Sequence, residues 1–161
     1  MPGLMEASIS FDWSLLVFFL LMVVTGTSGA FFQPGEWYRG LRKPGWTPPN
    51  WLFGPVWTAL YVMIAIAGWL VWRNAPAGAA IWLWGLQLAV NFCWSALFFG
   101  ARRMDLAFYD VVLLWLLIAA FIVAAAPISL TAAVLFVPYL IWVTIAGTLN
   151  WTVWRMNPSK A

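Results

Sequence analysis

The strongest constraint on this chain is a set of five apolar stretches, at roughly 13–32, 53–73, 79–100, 106–126 and 130–154. A bilayer core takes about 20 apolar residues in helical form. Inside lipid the backbone must pair with itself, so each stretch is predicted to be a helix. Asp110 is the one charge within them, Arg73 standing at the very end of the second. Only 8% of the 161 residues are charged, too few to cover a water-facing surface. The expected fold is all-α: an integral membrane bundle of five transmembrane helices, one domain over residues 1–161, with a long first loop at 33–52.

Glu6 and Asp12 precede the first stretch, and no Lys or Arg does. A secretory signal has a basic start, so the first span reads as a retained helix. Five spans put the termini on opposite sides. The first loop, the third loop and the C-terminus then share seven of the eight basic residues, with Arg73 alone on the other face. The positive-inside rule places the N-terminus outside and the C-terminus in the cytoplasm. Apolar helical spans point to a bacterial inner membrane, since outer-membrane proteins are barrels. Pro55 is expected in the first turn of the second helix, where its missing N–H costs little. Pro138 should kink the fifth. Asp105 is expected to cap the fourth, leaving Asp110 about one turn in, in a helix-dipole or interface role.

The chain has no His and one Cys, Cys93, which argues against a His-ligated metal or haem and rules out an intramolecular disulfide. No metal site and no nucleic-acid partner are expected. No Ser-His-Asp set is present and no span carries a carboxylate pair.

Fourteen Trp exceed what interfacial belts on so small a bundle need, so some must face inward. In the third span Gln87, Asn91 and Trp94 fall on one helical face. Amides in a span need partners, and they serve equally as interhelical glue or as the floor of a pocket. The opposite face carries Gly85, Ala89, Cys93 and Ala96, whose small side chains permit close approach of another helix, here read as a dimer face. In the fifth span Pro138, Trp142, Ala146, Leu149 and Asn150 share a face, with Tyr139 at its edge. Trp57 and Tyr61 lie one turn apart in the second. Trp57, Trp94 and Trp142 can make an aromatic box with Asn91 and Gln87 supplying hydrogen bonds, a lining suited to a flat conjugated ligand.

The first loop contains "WYRGLRKPGWTPPNW", residues 37–51. Pro44, Pro48 and Pro49 restrict its backbone, and Gly40 and Gly45 let it turn. Tyr38 and Trp46 are expected to reach over the box, making the loop a lid. Arg39, Arg42 and Lys43 can pair with an anionic ligand or with anionic lipid.

"WYRGLRKPGWTPP" (37–49), "VWTALY" (56–61), "QLAVNFCWSALFFG" (87–100) and "PYLIWVTIAGTLNWTVWR" (138–155) together resemble the TspO/MBR family, the tryptophan-rich sensory proteins and translocator protein/peripheral benzodiazepine receptor family. The resemblance covers nearly the whole chain. It implies five transmembrane helices assembled as a homodimer. It also implies a pocket on the first-loop side that binds porphyrins such as protoporphyrin IX, and synthetic ligands of the benzodiazepine and isoquinoline carboxamide type. No cofactor is required; porphyrin is the ligand. Carried over by motif, the pocket residues are Tyr38, Trp46, Pro48, Trp57, Asn91, Trp94, Trp142 and Ala146. The function implied is a membrane receptor or sensor of tetrapyrroles. Two alternatives remain open: light-dependent porphyrin breakdown using Trp57 and Trp142, and transport. Animal members also bind cholesterol near the end of the fifth helix; here "LNWTVWR" lacks the Tyr of that motif.

Overall fold

The computed structural model describes residues 12–160, so Glu6 lies outside the described residues. The chain forms α1 (Trp13–Phe31), a short α2 (Glu36–Arg39), α3 (Asn50–Asn74), α4 (Ala79–Ser95), α5 (Met104–Ala125) and α6 (Leu130–Met156). Five of these, all but α2, are long and apolar enough to cross a membrane. α4 continues as a π-helix, Ala96–Gly100, before the turn into α5. α5 packs along both α4 and α6, and α1 lies against α3 and α4.

Local chemistry explains the helix ends. Asp12 caps α1 by accepting the Ser14 N–H at 3.0 Å, and Ser129 caps α6 by accepting the Ala132 N–H at 3.2 Å. Asp12 also accepts from Trp69 Nε1 at 3.1 Å and faces Arg73 at 3.7 Å, tying the start of α1 to the end of α3.

Three expectations about helix ends and faces need correction. α3 starts at Asn50, so Pro55 lies inside the helix and not in its first turn. Pro49 already sets the extended entry to that helix, four residues before the apolar run begins. The N-cap of α5 is Arg103, and Asp105 belongs to the first turn. The Asp105 carboxylate is taken by the Arg103 guanidinium, at 2.8 and 2.6 Å, and does not cap. Asp110 therefore sits nearly two turns into α5, with Oδ2 buried and no donor to it among the described residues. Pro138 is exposed, whereas Tyr139 is wholly buried. The inward stripe of α6 runs through Phe136, Tyr139, Val143, Asn150 and Val153, which turns Pro138 outward.

The two ends of the bundle are packed differently. Away from the first loop, Ile64, Ala65, Ala67, Val71, Ile118, Phe121 and Phe136 are fully buried. There the Nε1 edge of Trp84 packs against Gly68, and its Nε1–H donates to the Ile64 carbonyl at 2.9 Å. A Cβ on Gly68 would stand 2.3 Å from the Trp84 ring, so only glycine allows this contact. At the first-loop end the same helices diverge around a cavity. On α4, Gly85, Ala89 and Cys93 are exposed, uncovered among the described residues, and Ala96 is half-buried in the π-helix.

Candidate functional site

The cavity has a volume of about 560 Å³ and opens between α1, α3, α4 and α6 beneath the first loop. That volume lies within the usual range for small-molecule sites. Its walls are aromatic. Trp57 and Tyr61 come from one face of α3, with ring centroids 5.4 Å apart. Trp94 stacks on Phe98 at 5.0 Å, and Trp142 meets Phe53 edge-on at 5.5 Å. Ala146, one turn beyond Trp142, leaves room beside the indole.

The floor is polar. Tyr61 Oη donates to Asn91 Oδ1 at 3.3 Å, Asn91 Nδ2 donates to Tyr139 Oη at 2.7 Å, and Tyr139 Oη donates to Gln87 Oε1 at 3.0 Å. The chain of bonds starts on the cavity wall and ends in the dense part of the bundle. Each member is held in one orientation by the next, as buried amides in a membrane helix require. A second polar post supports Trp94, whose Nε1–H donates to Asn150 Oδ1 at 3.1 Å while Asn150 Nδ2 donates to the Met104 carbonyl at 2.9 Å. The Trp142 Nε1–H is buried, with no acceptor among the described residues.

Of the residues singled out from the sequence, Tyr38, Trp57, Asn91, Trp94, Trp142 and Ala146 line this one cavity. Gln87 does not; it is fully buried one turn deeper, bonded to Tyr139. Trp46 is half exposed and off the wall. A tight turn, with Thr47 N–H donating to the Pro44 carbonyl at 3.0 Å, leaves Trp46 at its outer tip. Pro48 follows that turn and also stays off the wall. None of Arg39, Arg42 and Lys43 lines the cavity either. Arg39 pairs with Glu36 on the exposed side of α2. The Arg42 side chain is exposed, and Lys43 folds back to 4.4 Å above the Tyr38 ring. Burial lowers the Lys43 ammonium and raises the Tyr38 phenol from their ordinary values.

The sequence reading missed Phe53, Phe98 and Phe99, which the structure adds to the wall. Phe98 and Phe99 reach it from the π-helix, closed by the Ala101 N–H bonding to the Ala96 carbonyl at 2.7 Å. Phe98 continues the spacing of Gln87, Asn91 and Trp94 and was there to be read, whereas Phe99 lies about 120° from Gln87 on a regular α-helix and falls within the π turn. The start of the first loop fits there as well. A Cβ on Gly100 would stand 2.8 Å from the Phe32 ring.

The TspO/MBR family profile matches residues 17–155. A protein named tryptophan-rich sensory protein from Cereibacter sphaeroides is 42% identical, over 91% of this chain and 93% of its own. Protein CrtK from Rhodobacter capsulatus is 41% identical, over 89% and 92%. The translocator protein of Homo sapiens is 42% identical, over 80% and 81%. With five membrane-length helices and a match of this extent, the chain is a multi-pass membrane protein that belongs to the TspO/MBR family.

Proposed function

We propose that the protein is a membrane receptor, or sensor, that binds a tetrapyrrole of the protoporphyrin IX kind in the aromatic cavity under the first loop. The observation that carries this reading is the cavity itself. It combines indole and phenyl walls for a flat conjugated ring with a fixed polar floor. The names of the relatives, sensory protein and translocator protein, agree with a ligand-binding role. Synthetic ligands of the benzodiazepine and isoquinoline carboxamide type would occupy the same apolar volume. Propionates would sit at the rim, near Arg39, Arg42 and Lys43, because those cations lie outside the wall. The cavity faces the cytoplasm if the basic residues set the orientation, in an inner membrane. The uncovered face of α4 at Gly85, Ala89 and Cys93 suits a homodimer.

Titration of protoporphyrin IX into detergent-purified protein, followed by Trp fluorescence, tests the reading. Saturable quenching is expected, with affinity about tenfold weaker in the Trp57→Phe, Trp142→Phe double variant. Quenching that never saturates, or is unchanged in the double variant, overturns it. The photochemical alternative is favoured only by the presence of Trp57 and Trp142 on one cavity wall. It stands if illumination bleaches bound porphyrin in the wild type and not in the double variant.

A further inference from the structure

The first loop is fastened to the bundle by the far end of the chain. Asn157 is the C-cap of α6 and is 5% exposed. Its Oδ1 accepts the Arg42 N–H at 2.9 Å, and its Nδ2 donates to the Arg42 carbonyl at 2.9 Å. The same Nδ2 donates to the Val153 carbonyl at 2.7 Å. Lys160 Nζ adds a bond to the Gly40 carbonyl at 2.8 Å. One side chain thus holds both backbone groups of a residue 115 positions away. An asparagine can do this because it presents an acceptor and two donors on one short planar group. Aspartate has no donor, and glutamine is one methylene longer.

The other hydrogen bonds of the loop are local among the described residues, such as Arg39 to Gly35, Gly40 to Glu36 and Thr47 to Pro44. The fastening point also lies between two pieces of the cavity wall. Tyr38, four residues before Arg42, lines the cavity from the loop, and Val153, one turn before Asn157, lines it from α6. Leu41 beside the latch is buried at 6% exposure.

We infer that Asn157 is a positioning residue that latches the first loop shut over the cavity, so that release of this latch governs ligand escape. The second half of that statement rests on the proposed function; the latching itself does not. A latch of this kind acts on departure. Losing its two loop bonds shifts the loop toward open and speeds dissociation, while encounter with an already open loop is little changed.

The test compares wild type, Asn157→Ala and Asn157→Asp in detergent by hydrogen–deuterium exchange and by stopped-flow protoporphyrin IX kinetics. In Asn157→Ala, amides of residues 36–43 are expected to exchange about tenfold faster, with α3 to α6 unchanged, and porphyrin to dissociate about tenfold faster at an association rate within about twofold. Asn157→Asp keeps the acceptor for the Arg42 N–H but turns a buried carboxylate oxygen on the Arg42 and Val153 carbonyls in place of the amide donor, so it should loosen residues 36–43 at least as much as Asn157→Ala. Wild-type exchange at residues 36–43 in Asn157→Ala overturns the inference. So does uniformly faster exchange through α3 to α6, which would make Asn157 a fold-stabilising residue only. Faster loop exchange with unchanged dissociation also overturns it. Should wild type bind no porphyrin, the proposed function fails, and the exchange experiment alone decides whether Asn157 pins the loop.

Discussion

The two ends of this bundle are made from the same helices and similar residues, yet one is solid and the other hollow. At the solid end, small residues on α3 let the large ring of Trp84 in, and the indole N–H finds a backbone carbonyl. At the hollow end, large rings from α3, α4 and α6 stand around a space, some edge-on and some stacked or tilted. The layer of Tyr61, Asn91, Tyr139 and Gln87 divides them. Aromatic content therefore does not distinguish a core from a binding site. At Trp84 the difference lies in Gly68, which faces the indole and leaves it room against α3.

The largest expected effect breaks the solid end. Gly68→Ala places a methyl within 2.3–2.8 Å of a Trp84 ring that is anchored by its own hydrogen bond. Overpacking of this kind costs about 2 kcal/mol, a fall in Tm on the order of 6 °C in detergent, with cavity ligands still bound. An unchanged melting curve would mean the indole can yield, and the contrast between the ends would lose its basis.

Tyr139→Phe attacks the dividing layer. It strands Asn91 Nδ2 and Gln87 Oε1 without their present partners. A loss of about 1 kcal/mol is expected in thermal unfolding, together with weaker ligand binding as Asn91 loses its fixed orientation. If binding falls while stability holds, the layer serves the site more than the fold.

A smaller effect is expected at the first loop. Replacing Pro48 and Pro49 by Gly leaves every cavity-lining side chain in place but raises the entropy lost on ordering the loop, by roughly 0.4–1 kcal/mol each. Affinity should fall several-fold with the melting temperature of the helices nearly unchanged. Equal affinity would reduce the segment to a stiff connector.

The smallest effect lies at the opposite surface. Ser14, through its hydroxyl and its N–H, holds the Asp12 carboxyl below its ordinary value, helped by Trp69 and Arg73. A carboxylate lowered in the folded state contributes stability above its unfolded pKa, near pH 4, and that contribution is lost as pH falls through the lower folded value. Thermal unfolding at pH 7 and pH 3 should show a slightly larger acid loss in wild type than in Asp12→Asn. Identical acid losses would remove Asp12 from the list of groups that tie α1 to α3.

The helices were legible because lipid imposes a length and an exclusion of charge that composition alone reveals. Asn91, Trp94, Trp142 and Ala146 were legible as wall residues because helical spacing puts them on inward faces. Trp46 and Pro48 were misplaced because a turn at Pro44–Thr47, set by local hydrogen bonds, aims the indole outward. Pro138 was misread because adjacent positions on α6 differ by about 100°, and only packing against α5 selects which of them faces in. The basic residues of the first loop carried a charge signal but no direction.

That TspO/MBR motifs recur from residue 37 to residue 155, on five apolar helices, was determined by the sequence itself. Apolar runs of about 20 residues satisfy their peptide groups in lipid as helices, whereas the barrel that lipid also permits is built from shorter alternating strands. Tertiary structure alone decided three further things: the hollow, the π turn that carries Phe99, and the bond between Asn157 and Arg42. Each depends on where one helix ends relative to another, and that is fixed by packing between segments far apart in the chain.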